Sequence, residues 1–354
     1  MYFRSLFTLA SISSLSSAVT IPQPRSNGLP LSSHVVHEFP SETWIENIAV
    51  KSTGQLILTL ASTPDVYYLD PTSPANPTLI HSFPSSLASG VLGITEVKPD
   101  HFYVLSSNFS LATDSLGIGS NTVQSIDLSA YNPSSNTGAV VKAVAALPKI
   151  QFGNGMSTLD ASKNLVVISD SAAGAVWLLN VQTGDYRILL QEQEMVPPKI
   201  ASGFSLGING IRVLPSTADE VYIYFDNTNG HLFCRVPLSL STLNKTGPVE
   251  VLANLTLQGL TTDDFALDPE EGVAYLAGQQ NQLLRVPLGG GKAVDVLGGL
   301  NQSVIAGPTS VALARGDGCE GTIYVTTNGG ILNPVNGTYT EGGKVVAVDT
   351  KGWR

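Results

Sequence analysis

The chain has 354 residues, 43% of them hydrophobic and only 13% charged, which is enough apolar side chain for a sizeable core. Its net charge of -10 speaks against a nucleic-acid partner, which would need basic patches, and two cysteines exclude a disulfide scaffold. No apolar run is long enough to span a bilayer as a helix.

The N-terminus reads as a targeting segment. Arg4 supplies a positive charge, residues 6–15 form a short apolar stretch, and Ser16-Ser17-Ala18 is a small-x-small cleavage signal, so residues 1–18 are expected to be removed after Ala18. The expected address is the secretory pathway or the cell exterior. Sequons at Asn108, Asn244, Asn254, Asn301 and Asn336 lie in or beside predicted loops and are expected glycosylation sites. Residues 19–33 are rich in Pro and Ser and read as an extended leader. Residues 34–39 alternate weakly and look like a lone strand.

From there the chain repeats one pattern: short β-rich runs divided by Gly, Pro, Asn and Asp turns. The first repeat has strands at 48–50, 55–60, 65–69 and 78–83. The second starts at Gly93 and runs through 102–106, 122–128 and 140–145; the third starts at Asn154 and includes 165–169, 175–180 and 186–190. The fourth starts at Asn209, with 220–225, 231–236 and 249–253. The fifth is the clearest copy, with Phe265 to Leu267, 273–277 and 283–286, and the sixth has 310–314, 322–326 and 344–349. Starts about 46 to 60 residues apart fit four-stranded propeller blades. The sixth repeat is one strand short, and the lone strand at 34–39 can complete it, closing the ring and removing exposed sheet edges. The expectation is an all-β, six-bladed β-propeller over residues 34–354, closed by an N-terminal strand, with no helix.

In such blades the loop entering the first strand and the loop joining strands two and three share one face. The entering positions are Glu46-Asn47, Leu92-Gly93, Asn154-Gly155, Asn209-Gly210, Asp263-Asp264 and Thr309-Ser310. Glu46, Asn154, Asn209 and Asp263 would therefore aim oxygen donors at one central mouth, a set suited to a hard cation. Asn and Asp in such places also cap turns through their own backbone, and that reading stays open. The loops 108–120, 169–174, 226–230, 279–282 and 328–334 would form the rim. Trp44, Phe109, Phe152, Phe204 and Phe265 lie near this level, with Met156, Thr309, Asn47 and Asp264 beside them. Of five histidines only His231 is near the mouth, so a Ser-His-Asp arrangement lacks a base, and His231 reads as a strand-end surface residue. Asp170 and Asp226 end second strands and read as turn-shaping. Cys234 reads as a core residue and Cys319 as a turn residue in a non-adjacent repeat, so no pairing is expected.

Glu46-Asn47-Ile48, Asn209-Gly210-Ile211 and the run from Asp263 to Asp268 resemble the metal-site signatures of the senescence-marker-protein/gluconolactonase family of six-bladed propellers. Asp264 stands where that family usually has Gly. The resemblance implies a calcium or zinc ion held by Glu46, Asn209 and Asp263, with Asn154 beside the substrate. Within this architecture, the signal segment, low charge and many sequons are most similar to secreted fungal hetero-Diels–Alderases of tropolonic sesquiterpenoid biosynthesis. That resemblance implies coupling of a tropolone quinone methide to a humulene-type alkene, with small-molecule terpenoid and tropolone substrates and no required cofactor. Asn154 and Asn209 would then bind the quinone-methide oxygens and Glu46 or Asp263 would act as acid or base. The substrate surface would comprise Trp44, Asn47, Phe109, Phe152, Met156, Phe204, Asp264, Phe265 and Thr309. A metal-dependent lactonase or esterase and a non-catalytic binding propeller are the alternatives.

Overall fold

A computed structural model describes residues 28–351 apart from 74–75, 111–112, 114 and 201–203. The expected signal segment and most of the leader lie outside the described residues. No described helix is long and apolar enough to cross a membrane. The only helical elements among the described residues are three-residue 3-10 turns, such as Thr256–Gln258.

Among the described residues, twenty-four strands make six four-stranded sheets. After β1 (Ser33–Ser41), the first blade is β2 (Ile45–Val50), β3 (Leu56–Leu60), β4 (Asp65–Leu69) and β5 (Thr78–Ser82). The second is β6 (Gly90–Lys98), β7 (His101–Ser107), β8 (Thr122–Asp127) and β9 (Val140–Ala146). The third is β10 (Gly153–Asp160), β11 (Leu165–Asp170), β12 (Ala175–Asn180) and β13 (Tyr186–Leu190). The fourth is β14 (Ile208–Pro215), β15 (Glu220–Asn227), β16 (Leu232–Ser239) and β17 (Glu250–Asn254). The fifth is β18 (Thr262–Asp268), β19 (Val273–Gly278), β20 (Gln282–Pro287) and β21 (Val294–Gly298). The sixth is β22 (Pro308–Leu313), β23 (Thr322–Thr327) and β24 (Gly342–Asp349), with β1 as its outermost strand.

The closure expected from the spare N-terminal strand is present: β1 runs antiparallel to β24, with His34 opposite Ala347 and Glu38 opposite Lys344. Phe39 fastens it by packing against Ile45 and Tyr67 of the first blade, edge to face with the Tyr67 ring at 5.3 Å. The end of the leader also docks. Leu31 donates its N–H to the Val296 carbonyl and is buried in the core between the fifth and sixth blades.

Burial follows position in the blade. Second strands such as β11 and β19 are sandwiched between neighbouring blades, so every residue is buried and, apart from Asp170 at the end of β11, the sequence is a run of apolar, aromatic or small residues. Outer strands such as β5 and β9 are partly exposed and mix polar with apolar residues. Clusters of buried side chains fill each blade-to-blade interface, for example Val167 and Leu178 with Phe225 and Val236. Cys234 is buried in such a cluster, and both cysteines are unpaired.

Candidate functional site: the central mouth

All six innermost strands carry a register break at the same level: Ile45/Asn47, Val91/Ile94, Gly153/Met156, Ile208/Ile211, Thr262/Phe265 and Pro308/Ser310. The residues inside the breaks include Glu46, Leu92, Asn154, Asn209, Asp263 and Thr309. A bulge leaves a residue unpaired and re-aims its side chain. The site residues thus lie within the first strands, not in the loops before them as the sequence pattern implied. Bulges also bring neighbouring inner strands into backbone contact. A Cβ on Gly155 would sit 2.6 Å from the Asn209 carbonyl, and one on Gly210 would sit 2.4 Å from Asp264 Oδ1, so no side chain fits at either position.

The break residues divide into two levels. Glu46, Asn154, Asn209 and Asp263 line a cavity of about 260 Å³ at the mouth, as the sequence pattern predicted. Its wall is Trp44, Phe109, Phe152 and Phe204 with Ala61, Leu92, Leu206 and Leu332; Phe109 and Phe152 meet edge to face at 5.7 Å. Beneath the floor, Asn47, Asp264, Arg212 and Ser310 plug the axis. Asp264 Oδ2 accepts from Asn47 Nδ2 at 2.8 Å, Arg212 Nη2 at 2.7 Å and Ser310 Oγ at 3.2 Å. Asn47 and Asp264 are therefore structural partners that tie the first, fourth, fifth and sixth blades together, not cavity-lining groups.

Three other expected substrate contacts are elsewhere. Met156 packs between the second and third blades with Leu105 and Ile168, because it follows the break and the strand has resumed its pleat. Phe265 is buried between the fourth and fifth blades, edge to face with Phe233 at 5.0 Å, for the same reason. Thr309 turns its hydroxyl to the Ile45 carbonyl at 2.5 Å and to Thr326 Oγ1 at 3.0 Å, bracing the closure instead of facing the cavity.

The floor is electrostatically loaded. Burial raises the Glu46 carboxyl well above its ordinary value, and the nearby Asp263 adds to the rise. Burial and Asp264 push Asp263 up to about 7 against hydrogen bonds from Asn209 and Gln279, which favour its charge. Asn209 Nδ2 donates to Asp263 Oδ1 at 2.8 Å and to Thr228 Oγ1 at 2.9 Å, while Thr228 donates to the Thr262 carbonyl. Both amide hydrogens of Asn209 are thereby spent, so it orients Asp263 and leaves only its oxygen for a ligand. The Trp44 indole N–H lies beside Glu46 and favours its charged form, yet no acceptor meets it in hydrogen-bonding geometry. It is a buried donor without a partner in the cavity wall.

Asp226 does more than shape a turn. It is fully buried, accepting from Gly210 N at 2.7 Å and Thr262 Oγ1 at 2.6 Å, and so couples the breaks that present Asn209 and Asp263. Asp170 keeps the expected turn role, gathering the N–H groups of Gln151, Phe152 and Ala173. His231 gives its ring Nδ1 to the Leu260 carbonyl at 2.8 Å and does not line the cavity. Leu206, Thr228, Asn229, Gln279 and Leu332 line it without having been singled out from sequence. Four of them lie in or beside rim loops recognised from turn residues, but Leu206 sits in the long connection before the fourth blade, where no pattern marks it.

The donor set fits a hard cation: Glu46 and Asp263 carboxylates and the Asn209 oxygen, with buried like charges that a cation would relieve. Among the described residues no three His, Cys, Asp or Glu side chains converge as a metal cluster.

No protein-family profile matches the chain. It is 25% identical over 331 residues to a candidate hetero-Diels–Alderase of a Phoma species, covering 88% of this chain and 90% of the relative. It is also 25% identical over 354 residues to the candidate hetero-Diels–Alderase asR5 of Sarocladium schorii, covering 92% of this chain and 85% of that one. Among solved structures, it resembles a luciferin-regenerating enzyme with a TM-score of 0.63 at 13% identity, covering 91% of this chain and 96% of that one. A candidate gluconolactonase aligns with a TM-score of 0.54 at 14% identity, covering 93% of each chain. These structural likenesses show the fold. The chain is a six-bladed propeller similar over nearly its whole length to candidate hetero-Diels–Alderases.

Proposed function

We propose that the mouth is the active site of a hetero-Diels–Alderase that joins a tropolone quinone methide to a humulene-type alkene. The observation that carries this reading is the division of one cavity into an aromatic wall and a floor of paired carboxylates and amides. Similarity to candidate hetero-Diels–Alderases along nearly the whole chain supports it.

The chemistry needs two things. A hydroxylated tropolone precursor first loses water. Glu46, whose burial favours the protonated form, is placed to protonate the departing hydroxyl. Asp263, with proton affinity near neutrality, is placed to take the tropolone O–H proton. The quinone methide then adds across the alkene, forming one C–C and one C–O bond as the ring regains aromaticity. Negative charge grows on the ring oxygens during this step. Among the donors that line the cavity, we assign Asn154 and the unpartnered Trp44 N–H to it. The aromatic wall holds the terpene against the diene, removing translational and rotational entropy from the barrier.

The test is product formation from authentic precursors with and without protein. Asn154→Ala should lower the rate on the order of 10² to 10³-fold if the amide acts as an oxyanion donor. Trp44→Phe keeps an aromatic side chain but removes the N–H together with the five-membered ring that carries it, so it should lower the rate at least about tenfold, the worth of one hydrogen bond to developing charge. Unchanged rates and product ratios with and without protein would end this reading.

The paired carboxylates favour a second reading, a metal-dependent lactonase or esterase. Glu46, Asp263 and the Asn209 oxygen would hold a calcium or zinc ion, which when bound supplies Lewis acidity toward a carbonyl. Stoichiometric metal in the purified protein, lost with Asp263→Ala, would select it.

A further inference from the structure

We propose that the mouth face carries a collar of N-linked glycans at Asn108, Asn254, Asn301 and Asn336, each covering an apolar side chain that the fold leaves in water. The four most exposed large hydrophobic side chains among the described residues are Leu257 (100%), Ile118 (66%), Leu300 (60%) and Tyr339 (49%). All four lie in loops on the side of the ring where the cavity opens, two joining second and third strands and two joining successive blades. Their gathering on one face, instead of scattering over the surface, marks that face as one to be covered.

Each of the four has a sequon beside it. Asn301 directly follows Leu300. Asn254 is three residues before Leu257, and its Oδ1 accepts the Thr256 N–H at 3.0 Å, which folds the segment back at the end of β17. Asn336 caps the hairpin whose arms are held by Val335 and Tyr339, which exchange backbone hydrogen bonds at 2.9 Å. Asn108 lies against the Ile118 arm of its loop: its N–H reaches Ser120 Oγ at 2.9 Å, and a Cβ on Gly117 would strike its carbonyl at 2.2 Å. All four asparagines are exposed. The fifth sequon asparagine, Asn244, is exposed in a loop between third and fourth strands on the opposite face, where none of these four side chains lies. The next most exposed, Val35 and Val251 at 48%, lie in the outer strands β1 and β17 and not in mouth-face loops.

In the modification the asparagine amide nitrogen bonds to C1 of a lipid-linked oligosaccharide. The C1–O–phosphate bond breaks, the lipid diphosphate leaves, and the amide gives up one proton. The added sugar is bulky and solubilising. Around this mouth it would shield the apolar rim from other proteins while leaving the cavity open to small molecules. The inference is independent of the reaction proposed above, because it rests only on passage through the secretory pathway and on the geometry of one face.

The full chain is expressed with its own N-terminal segment in a secreting yeast. Sites are mapped by enzymatic deglycosylation in isotope-labelled water, which marks each formerly glycosylated asparagine. The expected result is sugar at all four mouth-face asparagines. Trimming the native protein should then raise its binding of the dye ANS, and Leu257→Ser, a change at a side chain with no packing to lose, should remove part of that rise. Asn244→Gln should leave dye binding as it was. Secretion with any of the four left bare in most molecules overturns the inference, as does retention without sugar. So does trimming that leaves dye binding unchanged, or a rise that Asn244→Gln alone reproduces.

Discussion

Replacing Asp263 by Asn removes a buried charge while keeping an oxygen to accept from Asn209 Nδ2, so it isolates electrostatics from packing. Burial and Asp264 raise this carboxyl from 3.8 to about 7. Each tenfold change in proton affinity is worth about 1.4 kcal/mol, so the rise corresponds to on the order of 4 kcal/mol. The sign follows from which state holds the proton more tightly. The folded state does, so the contribution to stability is full below about pH 4 and is lost as pH rises toward 7. Urea unfolding of the native chain and of Asp263→Asn should therefore give similar stabilities at pH 4. The variant should be the more stable by up to roughly 4 kcal/mol at pH 8, because an amide has no charge to bury. Glu46 should reinforce the trend, since it loses a repelling neighbour in the variant. If Asp263→Asn were destabilised equally at pH 4 and pH 8, the carboxylate would be working as an ordinary hydrogen-bond acceptor and the reasoning would fail.

Three further outcomes are expected. Phe39→Ala, which empties the contact between the closing strand and the first blade, should cost about 3 to 5 kcal/mol by thermal or urea unfolding; a negligible loss would mean the ring holds without β1. Phe265→Leu should lower stability but leave turnover of the folded enzyme nearly unchanged, because Phe265 lies between blades and not in the cavity; a selective loss of activity would put the side chain back in the site. If the metal reading holds, calcium added at pH 8 should raise the melting temperature of the native chain but not of Asp263→Asn, since the ion would offset the charge that the variant lacks.

The strands and their grouping were legible because turn residues and apolar runs recur locally. The fourth strand of the fifth blade, β21, was the exception. Its sequence, Val294-Asp295-Val296-Leu297-Gly298, is a short run broken by an aspartate and set between glycines, so little marks it as a strand. The mouth carboxylates and amides were legible for the same reason as the blades: they recur at one position of the repeat, and the ring brings that position to the axis. Closure by residues 34–39 followed from position: the last repeat shows three strands and a spare strand precedes the first repeat, so a ring brings the two together.

Facing direction was not legible. Asp263 and Asp264 are adjacent and chemically alike, yet one lines the cavity and the other lies under it with Arg212. Arg212 comes from a different blade, so nothing near Asp264 in the chain announces its partner. Met156 and Phe265 are the residues at which pairing resumes after the register break, where the pleat turns them into blade interfaces. The chain alone thus determined which residues meet at the axis, because repeat position sets radial position in a ring. Only the tertiary structure decided which of them face the ligand, because a bulge redirects side chains residue by residue and the groups that hold a redirected side chain, such as Arg212 for Asp264, come from other blades.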